Sequence, residues 1–300
     1  MRIIIYALYF TPILVSNAKL ITDYYDLDNT LSCGNDTDTV SIYKMDGKTQ
    51  IQNVDDVVVN IVGGVEAEHI YPWMASIQFK YKHKWNHFCG GSLIHPNWIL
   101  TAGHCMKYWS SDTPGAYRVV LSKYKLSSAS TVNTQIRIIQ KVVMNPTYSG
   151  LHNDLSLVYI DSITKIKPLK LNSAENEYQL PGVMQRVVGW GFQKERSGII
   201  SDIMMQVDVP VIDQSKCKIS YTSLEPCQIC AGYDEGQKDA CSGDSGSPMF
   251  TFVSALNSTA STPIQTGIVS YGKGCARPGY YGVYTRVSLF YNWIMSVIGN

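Results

Sequence analysis

Charged residues are scarce in this 300-residue chain. Asp, Glu, Lys and Arg together make up 16%, and 25 basic groups against 24 acidic ones leave a net charge of +1. That balance lacks the overall basic excess typical of nucleic-acid-binding domains, so no nucleic-acid partner is expected. Long apolar runs are missing after the first fifteen residues, which excludes a polytopic membrane protein. No internal repeat at a solenoid period is present, and the composition is not that of a coiled coil. What is abundant points elsewhere. Apolar residues make up 45% of the chain, enough for a sizeable core in one large or two small domains. Eight cysteines, with 23 glycines and 20 tyrosines, are not the usage of a cytosolic protein.

The N-terminus accounts for that usage. Arg2 precedes an apolar stretch from Ile3 to Val15, and Ser16 and Ala18 put small residues where a signal peptidase reads. The stretch is shorter than the ~20 residues that span a bilayer, and Pro12 interrupts it. Residues 1–18 are therefore expected to be a cleaved signal peptide, the protein to be secreted, and no membrane association to remain. A retained signal anchor is the alternative. The oxidising route makes disulfides plausible. Residues 19–60 carry eight Asp, three Lys and no Glu, a net of −5, and their apolar residues show no clear period. This reads as an acidic propeptide rather than a domain. Sequons for N-glycosylation begin at Asn35 and Asn257.

From residue 61 to residue 300 the text changes to short apolar runs separated by Gly, Pro, Asn and Ser. Runs at 73–79, 92–94, 98–101, 119–121, 136–143, 155–160, 185–190, 266–271 and 282–287 predict strands of an antiparallel all-β fold. Leu289, Phe290, Trp293, Ile294, Val297 and Ile298 fall on a helical stripe and predict a C-terminal helix packed on the core.

Three motifs carry chemistry: Thr101-Ala102-Gly103-His104-Cys105, His152-Asn153-Asp154-Leu155, and Asp239-Ala240-Cys241-Ser242-Gly243-Asp244-Ser245-Gly246-Ser247-Pro248. An isolated His or Asp is most often structural. A serine hydroxyl, however, is a poor nucleophile that needs a base within hydrogen-bond reach and a third group to orient that base. His, Asp and Ser in this chain order supply all three. With Ile61-Val62-Gly63-Gly64, Cys89-Gly90-Gly91-Ser92, Gly189-Trp190-Gly191 and Gly282-Val283-Tyr284, the chain resembles the trypsin-like serine proteases over residues 61–300.

The resemblance implies two six-stranded antiparallel β-barrels, roughly 61–165 and 176–287, with the active site between them. It implies His104, Asp154 and Ser245 as the catalytic triad, and the backbone N–H groups of Gly243 and Ser245 as the oxyanion hole. It places Asp239 at the base of the primary specificity pocket, Gly272 and Gly282 on its walls, and Ser270 and Gly272 on the strand that pairs with substrate backbone. A carboxylate there selects basic side chains. Ala240 stands where trypsin has a serine, which removes a hydroxyl that helps an ammonium more than a bidentate guanidinium. Cleavage after Arg, and less well after Lys, is expected.

Bridges Cys89–Cys105, Cys217–Cys230 and Cys241–Cys275 are likewise implied by the resemblance. For Cys33 and Cys227, a mutual bridge, free thiols and an intermolecular bridge all remain open. No metal is expected. The Cys227-Gln228-Ile229-Cys230 pair has no second pair at zinc-ligand spacing, and residues 113–153, where many relatives bind calcium, contain no Asp or Glu but do contain Lys123 and Lys125. No other cofactor is implied. Ser247 departs from the family's usual glycine; positive φ there would cost ~1–2 kcal/mol.

The resemblance also implies a zymogen, in which cleavage before Ile61 frees an α-amino group that pairs with Asp244. Asn60 occupies the position before the cut, where relatives carry Arg or Lys. A separate activating protease that cuts after Asn60 is expected as a partner, beside protein substrates and protein protease inhibitors. The alternative is a catalytically silent homologue that acts as a binding protein.

Overall fold

The computed structural model describes residues 61–299, apart from 114, 163, 175, 176 and 255–260. The expected signal peptide and propeptide, Asn60, Cys33 and the sequon residues Asn35 and Asn257 lie outside the described residues.

Fourteen strands are described. The first, β1 (Val65–Glu66), is followed by β2 (Met74–Tyr81), β3 (Lys84–His95), β4 (Trp98–Thr101), β5 (Tyr117–Leu121), β6 (Gln135–Met144) and β7 (Ser156–Ile160). Strands β2 to β7 close into an antiparallel barrel in the order β2-β3-β4-β7-β6-β5. Its interior is aliphatic, with Ile77, Leu93, Ile99, Leu121 and Val158 fully buried, while Leu100 and Leu157, paired on the opposite face of β4 and β7, are buried as well. A two-residue turn joins β2 to β3. Lys82 and His83 both have positive φ, 46° and 66°, as a hairpin turn that follows the strand twist requires.

A second ring follows β8 (Lys170–Leu171): β9 (Met184–Gly189), β10 (Met205–Ile212), β11 (Gln228–Ala231), β12 (Pro248–Ser254), β13 (Ser261–Tyr271) and β14 (Gly282–Arg286). Pairing runs β9-β10-β11-β14-β13-β12 and returns to β9 through Met249 opposite Val187, so this sheet closes as well. The fold is thus two six-stranded antiparallel barrels. The N-terminal segment is assigned differently from the implied barrel boundary. Strand β1 pairs with β10, so residues 65–66 belong to the second barrel although they precede the first.

Strand limits depart from the sequence reading where side chains give no signal. The expected run 92–94 is the end of a twelve-residue strand, β3. Gly90 and Gly91 hide its continuity, and a Cβ on Gly91 would sit 2.8 Å from Ile99. Strand β10 contains Pro210, a residue that argues against a strand when only the sequence is read. Helix α1 (Gly103–Met106) is a single turn after β4, and α2 (Gln214–Ser220) is capped by Asp213, which accepts from the Ser215 and Lys216 N–H groups. The expected C-terminal helix is α3 (Val287–Ile298), with Val287, Phe290 and Ile294 buried.

Disulfides join Cys89 to Cys105, Cys217 to Cys230 and Cys241 to Cys275. Cys227 is also disulfide-bonded, to a partner outside the described residues, so it is not a free thiol.

Candidate active site

His104 sits in the α1 turn that leaves β4, and the Cys89–Cys105 bridge ties that turn to β3. Asp154 comes from the loop before β7. Its predecessor Asn153 has φ +49°, a left-handed conformation that asparagine tolerates better than most residues. The Asn153 amide donates to the Thr147 carbonyl and hydroxyl at 3.1 and 3.0 Å, which fixes the bend. Asp154 is thereby delivered to His104. His104 Nδ1 lies 2.7 Å from Asp154 Oδ2, and the His104 N–H donates to Oδ1 at 2.8 Å.

The second barrel completes this cluster. Ser270 on β13 donates its hydroxyl to Asp154 Oδ2 at 2.5 Å, and Thr285 on β14 donates to the Asp154 carbonyl at 2.9 Å. The sequence reading gave Ser270 only a backbone role; its hydroxyl is an additional member of the carboxylate's shell. Burial opposes charge on Asp154, but the His104 charge and hydrogen bonds from His104 and Ser270 outweigh it and hold its pKa below the usual range. Burial likewise pulls His104 down, and Asp154, through charge and hydrogen bond, overcomes it and raises the imidazole.

Ser245 lies on the loop between β11 and β12. Its carbonyl accepts from the Gly90 N–H at 2.8 Å, and Cys105 Sγ is 3.6 Å from the same oxygen. The Ser245 loop is thus pinned to the strand and disulfide that also hold His104. Among the described residues no hydrogen bond joins the Ser245 hydroxyl to His104. Gly243 has φ +97°, and its carbonyl is 3.0 Å from His87 Nε2. The other ring nitrogen of His87 lies 2.8 Å from the Ser76 hydroxyl. Burial pushes the His87 pKa down to about 4, so this imidazole is neutral. Sequence reading missed His87 because His87-Phe88 resembles no motif. Ser247 does not have positive φ; the left-handed residue is Gly246, at +81°, so the cost that positive φ would carry at Ser247 does not arise.

A cavity of about 220 Å³ opens beside Ser245. Asp239, Ser245, Ser270, Gly272 and Gly282 all line it, so five sequence-singled residues meet in one space. Asp239 is 4% exposed. Its Oδ2 accepts from the Ala276 N–H at 3.0 Å, and its Oδ1 has no partner. Burial pushes its pKa up to about 7 against the pull of the Ala276 and Ala240 N–H groups. Gly282 is needed because a Cβ there would sit 2.7 Å from Asp239 Oδ1.

Asp244 is fully buried. Its two oxygens accept from the N–H groups of Gly191, at 2.8 Å, and Cys241, at 3.0 Å. No side-chain cation pairs with it among the described residues, and burial raises its pKa to about 6. The Gly189-Trp190-Gly191 motif has its reason here: a Cβ on either glycine would approach the Asp244 carboxylate to 2.2 Å. The backbone at 61–63 forms a short 3-10 turn, and the Val62 carbonyl accepts from the Asp239 N–H at 3.1 Å. Cys89, Cys105 and His104 cluster closely, but both cysteines are spent in a disulfide and offer no thiolate to a metal.

The buried Lys123 ammonium donates to the Ser128 and Ala129 carbonyls. Two comparisons agree with this architecture. The trypsin family model matches residues 61–294. Trypsin-1 of Astacus astacus is 36% identical over 243 residues, which cover 78% of this chain and 98% of that protein. With two closed barrels, a serine and a histidine–aspartate pair held where they meet, and a match that spans both barrels, the chain belongs to the trypsin family of serine endopeptidases.

Proposed function

We propose that this endopeptidase is secreted as a zymogen and cleaves after Arg, and less well after Lys, through an acyl-enzyme formed on Ser245. The observation that carries the specificity is the orphaned Asp239 Oδ1 in the cavity beside Ser245. A buried carboxylate with one free oxygen is stabilised by a guanidinium, which brings both charge and paired donors. Ala240 lines the same cavity with a methyl group and adds no acceptor for a lysine ammonium.

His104 acts as general base toward the Ser245 hydroxyl and then as general acid toward the leaving amine, tasks suited to a pKa near neutrality. Asp154 fixes the imidazole tautomer through Nδ1 and stabilises the imidazolium. The Ser245–His104 hydrogen bond forms when substrate fills the cleft, since such contacts tighten in the Michaelis complex. The N–H groups of Gly243 and Ser245 receive the developing oxyanion. His87 positions the first of these by holding the Gly243 carbonyl. Water then attacks the acyl-enzyme with His104 as base, and Ser245 regains its proton.

Activation follows cleavage at Asn60–Ile61. The new Ile61 amine supplies the cation that Asp244 lacks. Asn60 is short and neutral and leaves the Asp239 charge unpaired, a mismatch that can reduce cleavage by ~10⁴. The enzyme therefore does not activate itself efficiently, and a protease of asparaginyl specificity does so. Protein substrates and protein protease inhibitors are its partners. N-terminal sequencing of the secreted, active form and cleavage profiling on a peptide library test this reading. An Ile61 terminus with cleavage after Arg supports it; preference for Tyr, Phe or Leu, or full activity with Asn60 attached, overturns it. Failure of a fluorophosphonate to label Ser245 after activation favours the silent homologue.

A further inference from the structure

Charge is distributed unequally between the barrels. Residues 69–153, which contain the whole first barrel apart from β7, include nine Lys and Arg and a single acidic residue, Asp112. Residues 154–300 include twelve basic and thirteen acidic groups. Three of those nine basic residues lie where the β2–β3 hairpin projects. Lys80, Lys82, His83 and Lys84 are all exposed there, and Lys80, Lys82 and His83 share an open concavity of about 440 Å³ with Thr113, Gly115 and Ala116.

None of these lysines pairs with a carboxylate among the described residues. Two of them lie against aromatic rings instead: Lys80 is 5.9 Å from the Trp85 ring and Lys82 is 5.3 Å from the Tyr81 ring. Arg118 stacks on Trp85 at 4.2 Å. Tyr81 is 58% exposed, so apolar surface alternates with the cations. Such a surface has paid no desolvation into internal ion pairs and is free to receive anions. The left-handed residues Lys82 and His83 fix the turn that holds them outward.

Strand β3 links this hairpin to the cleft. Lys84 begins the strand, and Gly90, six residues on, donates its N–H to the Ser245 carbonyl. At ~3.3 Å per residue, the hairpin lies about 20 Å from the nucleophile loop. Strand β3 is bridged through Cys89 to the residue after His104, the group proposed to protonate the leaving amine. An extended substrate whose leaving-group side follows β3 reaches the lysines about six residues past the scissile bond.

We propose that the β2–β3 hairpin is a docking surface for an acidic stretch of protein substrates, located on the leaving-group side. This rests on the proposed cleavage chemistry for its direction along the substrate. A polypeptide is favoured over an anionic polysaccharide because the cations are interleaved with Tyr81 and Trp85, and because a polypeptide engaged at Ser245 is delivered to the hairpin by the strand itself. Complementary charge of this kind steers encounter and tightens KM rather than accelerating chemistry.

The test compares two peptides with the same Arg-containing core. One carries a run of Asp and Glu beginning about six residues after the Arg, the other Asn and Gln at those positions. On the activated enzyme, kcat/KM for the acidic peptide should be about tenfold higher in low salt, through KM, and the advantage should fall to about twofold or less near 0.5 M salt. The triple variant Lys80→Glu, Lys82→Glu, Lys84→Glu should lose or invert the advantage and keep the wild-type rate on the unextended core, which also reports folding. Equal kcat/KM for the two peptides, or an advantage that survives in the triple variant, overturns the proposal. Fluorescence anisotropy of a labelled acidic peptide that contains neither Arg nor Lys, measured on the Ser245→Ala enzyme, separates this surface from the specificity pocket. Salt-sensitive binding there supports the docking surface even if the core is not cut after Arg, and no binding overturns it. Binding of heparin to the hairpin without binding of the acidic peptide overturns it in favour of a polysaccharide ligand.

Discussion

Replacing Asp239 by Asn should weaken catalysis and strengthen the fold, and the second effect should depend on pH. Asp239 is 4% exposed, has one oxygen on the Ala276 N–H and the other unpaired, and is pushed up to about 7 by burial. Its ordinary value is 3.8. Below that value the folded and unfolded chains are both protonated at this site, and it contributes nothing adverse. As pH rises toward 7 the unfolded chain releases the proton while the folded chain keeps it, so stability falls, and above 7 the loss is constant. A shift of about three pKa units amounts to about 4 kcal/mol. The asparagine replaces this with an unpaired buried amide, at a cost of ~1–2 kcal/mol. At pH 8 the variant should therefore be more stable by about 2–3 kcal/mol, a rise in Tm of roughly 4–12 °C for a domain of this size. At pH 4 the order should reverse.

Thermal melts of Asp239→Asn and its parent, both on a Ser245→Ala background to prevent self-digestion, measure this directly. In the active background the same substitution would remove one partner of the ion pair proposed between Asp239 and a substrate Arg. That costs about 3–5 kcal/mol, or roughly 150- to 5,000-fold in kcat/KM on Arg substrates. Coincident melts at pH 8, or Arg cleavage within tenfold of the parent, would refute the reasoning. The first outcome would mean that the carboxylate is not held in a state of raised pKa. The second would mean that it does not face the substrate's charge.

Three further outcomes are expected. Asp154→Asn should lower kcat by ~10⁴ with the fold intact, because the wrong imidazole tautomer then faces Ser245; pre-steady-state and steady-state rates on one Arg substrate check it. Asn60→Arg should turn the proenzyme into one that trypsin, and its own active form, switch on within a time course that leaves the parent uncut, as followed by N-terminal sequencing. His87 has its pKa depressed from 6.5 to about 4, so the stability it contributes is present above 6.5 and is lost as pH falls through that window, about 3 kcal/mol in all. His87→Gln should flatten the fall in denaturant midpoint between pH 6.5 and 4 by that amount.

The candidate catalytic residues were legible because each sits inside a run of neighbours with its own structural duty. His104 is flanked by Cys105, which bridges to β3. Asp154 follows Asn153, whose left-handed bend aims it. Ser245 follows Gly243 and Asp244. Many strands were legible as short apolar runs, and α3 as an apolar stripe, while the two barrels were implied by the family resemblance; strand register was not legible, because pairing depends on partners far away in sequence. The residues that tune the site were not legible for the same reason. Ser270 is 116 positions from Asp154 and Thr285 is 131. His87 reaches Gly243 across 156 positions, and nothing around it distinguishes it from a packed core histidine. The first barrel's excess of lysine over acid was present in the sequence, but its meaning depended on the hairpin that gathers three of the lysines at one tip.

Asp239 and Asp244 show how one short segment can prepare two carboxylates for different cations. They lie five positions apart, both are almost fully buried, and burial raises both pKa values. Their surroundings separate them. Asp239 borders the cavity with one oxygen free, and Gly282 keeps the approach clear. Asp244 borders no such cavity, has both oxygens on backbone N–H groups, and is packed against two glycines that admit no Cβ. An outside side chain can reach the first but not the second. On the proposed reading the cation for Asp244 must come from the chain itself, and the Ile61–Gly63 turn, already hydrogen-bonded to the Asp239 backbone through Val62, is the segment placed to provide it. On that reading the hydrogen bond joins the terminus freed by cleavage to the proposed specificity pocket. Ordering one therefore orders the other, so an enzyme cut at any bond other than Asn60–Ile61 should bind a cationic inhibitor such as benzamidine at least tenfold more weakly than one cut correctly. Equal inhibitor affinity in the two forms, measured by titration calorimetry, would show that the pocket is complete without the Ile61 amine.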